Sequence, residues 1–190
     1  MKRSPRPTKL HRAPTTVYGY HGCTVEIAKR IAEGESFLLS ENTWDWLGNG
    51  VYFWEDAPFR ALEWAQLKAE QTGVGPAVIE TKLELGHCLN LLVMEYTVDL
   101  DLVSEIIIAR AKELDLLRNT SSGGHFLDRA VVDALCARVS SIRQPFQTVR
   151  GCFPEGDPIY PSSKILKKAH VQIAVRDLSC IKTVRMVEFD

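Results

Sequence analysis

Between Trp44 and Trp64 the chain reads W-D-W-L-G-N-G-V-Y-F-W-E-D-A-P-F-R-A-L-E-W. This stretch restricts the fold most tightly, because glycine, strand and helix-start signals follow one another without a break. Gly48 and Gly50 admit backbone conformations, or close approaches, that a side chain resists. Val51-Tyr52-Phe53-Trp54 is an apolar run with strong β preference. Asp56 suits a helix N-cap, and Pro58 suits the first turn, where a missing amide hydrogen costs little. The order is therefore glycine turn, strand, capped helix. Two uses fit it: a buried hairpin packed on a helix, or a site for a planar ligand in which Tyr52 and Trp64 face each other.

The rest of the chain supports one domain around this stretch. Its 190 residues are enough for a substantial core, and 45% hydrophobic with 25% charged residues is the balance of an ordinary globular protein. The net charge of −1 hides an asymmetry, since residues 1–16 carry Lys2, Arg3, Arg6, Lys9 and Arg12 with no acid. With its prolines that segment reads as a disordered basic tail, either simply solvated or touching nucleic acid, a membrane surface or an acidic partner. It lacks the apolar core of a secretory signal, and no stretch is long enough to span a bilayer. Cys23, Cys88, Cys136, Cys152 and Cys180 are dispersed and form no C-x-x-C pair. That pattern points away from a disulfide framework or zinc site and towards a reducing, cytoplasmic compartment.

The folded part is expected over residues 17–190. Val17 to His21 reads as a strand, and Thr24 as the cap of a helix to about Ala32, with Ile27 and Ile31 on one face and Gly34 as its stop. Phe37-Leu38-Leu39 reads as a short strand. The helix after Asp56 should run to about Glu70, and Pro76 to Leu85 should be a strand. A helical insertion over about 93–139 follows. Its first helix, Val98 to Leu117, presents Leu102, Ile106, Ala109 and Leu117, and Arg118 to Gly124 breaks it. Its second, Phe126 to Val139, carries the stripe Leu127, Ala130, Val131, Ala134 and Leu135. Strands are expected over Phe146 to Phe153, His170 to Val175 and Ile181 to Phe189, with a long turn-rich loop from Pro154 to Lys168. The sum is an α+β fold with β segments at both ends and helices between.

Three points line up along this order: Tyr20-His21-Gly22 on the first strand, G-N-G-V-Y-F before a helix carrying Ala61 and Trp64, and the late strand His170 to Val175 after a long loop. In that order and spacing the chain resembles the catalytic domain of the ADP-ribosyltransferases, in the diphtheria-toxin and poly(ADP-ribose) polymerase branch. The resemblance spans roughly Val17 to Val187, without Val93–Val139. It implies a split, mixed or antiparallel sheet with helices. It also implies NAD as co-substrate without a metal, and these roles. His21 would bond a ribose hydroxyl, and the Gly22 backbone would hold the nicotinamide carboxamide. Tyr52 and Trp64 would sandwich the nicotinamide ring, with Phe53 and Ala61 completing the cofactor site. Cation–π attraction there would contribute roughly 1–2 kcal/mol. The family usually has Tyr at the Trp64 position, about one residue earlier.

One departure bears on chemistry. Gln172 stands where the family carries a catalytic Glu, which bonds the ribose 2′-hydroxyl and stabilises the developing cation. Gln keeps a hydrogen-bond acceptor but offers neither charge nor base. Polymer synthesis is therefore not expected. Glu155 or Asp157, in the loop where the acceptor should approach, is a candidate general base, and an exposed acidic turn is the alternative. Asp45 is a second candidate acid. His170 shares its strand face with Gln172, and Arg176 reads as a surface charge. No Walker loop, G-x-G-x-x-G or H-E-x-x-H occurs, and the histidines lack metal-ligand spacing. A Cys152–His170 hydrolase rests on little.

The expectation is thus a mono-ADP-ribosyltransferase, catalysed by Gln172, Tyr52 and Glu155, that passes ADP-ribose to a protein or nucleic acid. It would suit a toxin or phage-defence effector held by an antitoxin or regulatory protein, with no membrane partner. An NAD glycohydrolase and a non-catalytic NAD or ADP-ribose reader are the alternatives.

Overall fold

The computed structural model describes residues 15–40, 42, 45–114, 119 and 124–189. The basic residues of the tail, Trp44, Leu117, Arg118 and Gly123 lie outside them. Strand β1 (Thr16–Thr24) leads into helix α1 (Val25–Ala32), and β2 (Val51–Glu55) into α2 (Pro58–Thr72). Then come β3 (Pro76–Glu84), β4 (Cys88–Asn90), α3 (Met94–Leu114), α4 (Phe126–Ser140), β5 (Thr148–Phe153), β6 (His170–Val175) and β7 (Ile181–Met186). The strands form one mixed sheet in the order β4-β5-β6-β2-β1-β3-β7, so the fold is α+β.

The sheet is two halves joined by a short seam. β1 pairs β3 along its whole length, from Thr16↔Glu84 to Thr24↔Pro76. Against β2 it pairs only at Gly19↔Glu55 and Tyr20↔Trp54, and beyond Tyr20 the two strands part. β2 then pairs β6 from Val51↔Val175 to Glu55↔Val171. All neighbours are antiparallel except β4 and β5. Parallel strands need a long crossover, and α3 with α4 supplies it. The helical region 93–139 is therefore the connection between two neighbouring strands. Val131, Val132, Leu135, Cys136 and Val139 of α4 pack with Val149, Phe153 and Ala174 over the sheet.

Strand alternation sends side chains to two separate cores. Val17, Cys23, Phe53, Ile79, Leu83, Ile173 and Val175 bury themselves on one face beneath Ala28 and Ile31 of α1 and the Phe37 ring. On the other face α2 covers β1 and β3 around Ala61, Val78 and Trp54, while α4 covers the β5–β6 side.

Local signals were met unevenly. Thr24 caps α1, its hydroxyl accepting from the Ile27 amide at 3.5 Å. Ile31 is buried but Ile27 is exposed, so the expected pair is split. Ala57, not Asp56, caps α2 and gives no side-chain bond; Asp56 takes φ +48, a left-handed state that a short polar side chain tolerates. Pro58 does begin the helix, which runs to Thr72, two residues beyond Glu70, and Gly73 at φ +73 caps its end. Phe37 to Leu39 form no strand; the segment touches the sheet through a single bridge, Ser40↔Gly50. α3 starts at Met94 rather than Val98, and its phase differs from expectation: Val103 is buried, whereas Leu102 and Ile106 are exposed.

Candidate functional site

A cleft of about 1500 Å³ opens where β1 and β2 part. It is roomier than the roughly 300–1,000 Å³ of most small-molecule pockets. His21 and Gly22 of β1, Tyr52 and Trp54 of β2, Trp64 and Arg60 of α2, Gln172 of β6 and Glu155 all line it. The structure thus brings together seven of the residues singled out from sequence: His21, Gly22, Asp45, Tyr52, Trp64, Glu155 and Gln172. Of the expected cofactor-binding residues it leaves two out. Phe53 is fully buried on the opposite face, packed on Phe37 and His21. Ala61 is fully buried beneath α2, and neither residue reaches the cleft.

The seam explains what the first strand offers. The Asp56 amide donates to the Tyr18 carbonyl, so the backbone groups of Tyr18, Tyr20 and Gly22 point towards β2. The ladder with β2 stops at Tyr20↔Trp54, and the Gly22 amide and carbonyl consequently face the gap without a ladder partner. Glycine is needed here for packing as well, because a Cβ on Gly22 would lie 2.0 Å from the Ala61 carbonyl oxygen. His21 reaches across the gap, its Nδ1 lying 2.9 Å from the Tyr52 carbonyl oxygen. A carbonyl only accepts, which places the proton on Nδ1 and leaves Nε2 as an acceptor. Burial lowers the His21 pKa, partly countered by that bond, so the ring is neutral at physiological pH.

Tyr52 is held at both ends of its hydroxyl. It accepts from the Leu47 amide at 2.9 Å and donates to the Gly48 carbonyl at 2.8 Å. Gly48 sits at φ +78, and Gly50 lies so close to β6 that a Cβ would meet the Val175 oxygen at 3.0 Å. The hydroxyl therefore fastens the glycine turn to the strand. Tyr52→Phe should cost about 1–3 kcal/mol, the penalty for stranding a buried donor and acceptor. Urea unfolding followed by circular dichroism checks this.

Trp64 does not face Tyr52 directly. Its ring neighbour is Trp54, at 6.2 Å and 45°, and the Lys68 ammonium lies 5.4 Å over it. Trp54 and Gln172 are register partners on the cleft face, with Gly151 opposite Gln172 on the other side. His170 shares that face, as alternation requires, and packs near Trp54 and Phe153. Its Nδ1 donates to the Lys168 carbonyl at 2.7 Å, while its buried Nε2 and the Trp54 indole nitrogen have no partner among the described residues. Cys152 pairs with Val171, which turns it to the opposite face from His170 and removes a Cys–His pair.

Glu155 is half-buried and tied by Arg60, which also binds Glu63; Lys168 reaches Glu63 at 3.2 Å. The carboxylate thus belongs to a network across the cleft rim, and is no free turn acid. Arg60 gave no signal in the sequence, because only the fold sets α2 against the 154–169 loop. Asp157 is exposed and away from the cleft lining. Arg176, expected on the surface, is half-buried and bonds Asp133 at 2.7 Å and the Asn49 carbonyl at 3.0 Å. Asp45 is buried in the cleft wall beside Trp46 and His125, whose ring centroids are 3.9 Å apart.

Among the described residues no group of three or more His, Cys, Asp or Glu is placed to hold a metal, and no helix is long and apolar enough to cross a membrane. The chain is similar to an uncharacterized protein of Methanocaldococcus jannaschii, 24% identical over 191 residues that cover 90% of this chain and 87% of the relative. No family model and no solved structure matches it.

Proposed function

We propose that the chain is an NAD-dependent mono-ADP-ribosyltransferase, cleaving the nicotinamide–ribose bond and passing ADP-ribose to a protein or nucleic acid. The observation that carries this reading is the convergence of His21, Gly22, Tyr52, Trp64, Glu155 and Gln172 on one cleft at the parting of β1 and β2. The Gly22 amide and carbonyl suit a carboxamide, which needs one acceptor and one donor. His21 Nε2, held as an acceptor, suits a ribose hydroxyl. Trp54, Trp64 and Tyr52 supply the aromatic surface for a cationic pyridinium ring. Arg30 and Lys168 on the lining offer positive charge to a diphosphate.

Gln172 would take the ribose 2′-hydroxyl without stabilising the developing cation. That job, and the removal of the acceptor's proton, falls to Glu155, oriented by Arg60. A reader of NAD or ADP-ribose is the second reading, because the Gln172 amide binds without charge and Glu155 is already neutralised by Arg60.

Nicotinamide release from NAD by the purified protein, with and without lysate as acceptor source, tests the proposal. Release that rises with lysate, leaves ADP-ribose on a macromolecule and falls at least tenfold in Gln172→Ala is the expected result. Equal release without lysate would make it a glycohydrolase. Binding without release, with turnover appearing in Gln172→Glu, would make it a reader. The absence of both release and binding would overturn the NAD reading.

A further inference from the structure

Asp45 is a buried carboxyl group in the cleft wall. Its residue is 4% exposed, and its Oδ2 is buried with no hydrogen-bond partner among the described residues. Burial pushes the carboxyl pKa up. The Ser40 hydroxyl and the Asn42 backbone bond the carboxylate and lower it in part, as does the charge of Arg129, while Asp133 raises it. Arg129 donates to the Asn42 carbonyl and the Asn49 side chain and pairs with Asp133 at 3.7 Å. A buried carboxylate oxygen left unmatched is unfavourable unless something outside the chain completes it.

The surroundings say what that would be. Trp46, the next residue, tilts against His125 at 3.9 Å and meets Phe153 edge-on at 4.4 Å, and all three rings line the same cleft as Asp45. The wall therefore offers one carboxylate oxygen beside aromatic faces. A guanidinium matches both: it is planar, weakly hydrated, stacks on rings and donates N–H groups in its own plane. An alkylammonium is more strongly hydrated and cannot stack. A metal ion would need further ligands, and none gather there among the described residues.

We propose that Asp45, with the Trp46–His125 wall, is a binding site for a guanidinium group. The group comes from arginine on a polypeptide or from a free guanidino compound. The site needs no NAD, so it stands or falls separately from the transferase reading.

Isothermal titration calorimetry of the full chain, without NAD, tests it. Agmatine should bind at least tenfold more tightly than putrescine, which carries the same total charge with a tetrahedral ammonium in place of the guanidinium. Asp45→Asn, similar in shape, should weaken agmatine at least tenfold while keeping a wild-type Tm, since it removes a poorly matched charge. Trp46→Leu, which keeps the carboxylate and removes the ring, should weaken it several-fold and carries the test should Asp45→Asn fail to fold. Gly-Arg-Gly binding more tightly than agmatine would assign the site to polypeptides; the reverse order would assign it to free guanidino compounds. Agmatine binding no better than putrescine, or binding undiminished in the folded variants, overturns the proposal.

Discussion

Gly22→Ala should leave little folded protein. The added methyl would sit 2.0 Å from the Ala61 carbonyl oxygen and 3.1 Å from the Ala65 amide nitrogen, both backbone atoms of α2. A side chain can rotate away from an intruder; a helix backbone has to move as a whole. α2 also covers Val78 and Trp54, so its displacement opens that core. Overpacking usually costs about 1–3 kcal/mol, and a backbone clash this close should exceed 3 kcal/mol, a large part of the 5–15 kcal/mol that holds a typical domain. Gly75→Ala is the matched control, because its Cβ would meet only Val25 Cγ1 at 3.9 Å. Urea midpoints should put the control within about 0.5 kcal/mol of wild type. Equal midpoints for the two variants would refute the packing account. The experiment also separates two reasons for one glycine, since the helix requires it whatever the cleft binds.

The second large effect lies on the opposite face of the sheet. Arg150 of β5 reaches across β6 to Glu55 of β2 and makes two bonds, Nε to Oε2 at 2.6 Å and Nη2 to Oε1 at 2.7 Å. Both side chains are 11% exposed. Arg150→Ala should cost about 3–5 kcal/mol, because it strands a carboxylate in a desolvated place. The double variant Arg150→Met with Glu55→Leu should recover most of that loss, since a packed apolar pair carries no desolvation penalty. Thermal melts of the two single variants and the double one decide this; a double variant as unstable as the sum of the singles would show that the two side chains are not coupled and would refute the orphaned-charge account.

Only the first of these effects was partly legible in the sequence. His21-Gly22 and G-N-G-V-Y-F marked the two strands that form the cleft, because glycine and β-branched signals act locally. The register that leaves the Gly22 backbone facing a gap was not readable, since it depends on where a ladder stops. Tyr52 and Trp64 were found but their relation was misjudged: Trp54, two residues on and on the same face as Tyr52, is the ring against which Trp64 packs. The family resemblance implies Phe53 and Ala61 as cofactor-site residues, yet alternation puts one in the opposite core and helical phase puts the other on the sheet-facing side of α2.

In α3 the apolar residues are too evenly spread for period alone to pick the buried face; packing against α4 chose Val103. Asp56 looked like a cap because caps favour short polar side chains, but the tight turn into α2 uses that tolerance for a left-handed backbone instead. Arg150–Glu55 and Arg60–Glu155 are each 95 residues apart in sequence, and no local pattern announces such pairs.

The strand order also fixes a sequence of events during synthesis. β2 finds its partner β1 almost at once, but its other edge waits for β6, whose residues follow more than a hundred positions later. At roughly 5–20 residues per second, Val51 to Glu55 stays half-paired on the ribosome for on the order of ten seconds. An apolar edge strand in that state is a template for pairing with another chain. Newborn chains cut short before His170 should therefore be the aggregation-prone species, and a chaperone that covers the VYFWE edge would protect them until β6 arrives.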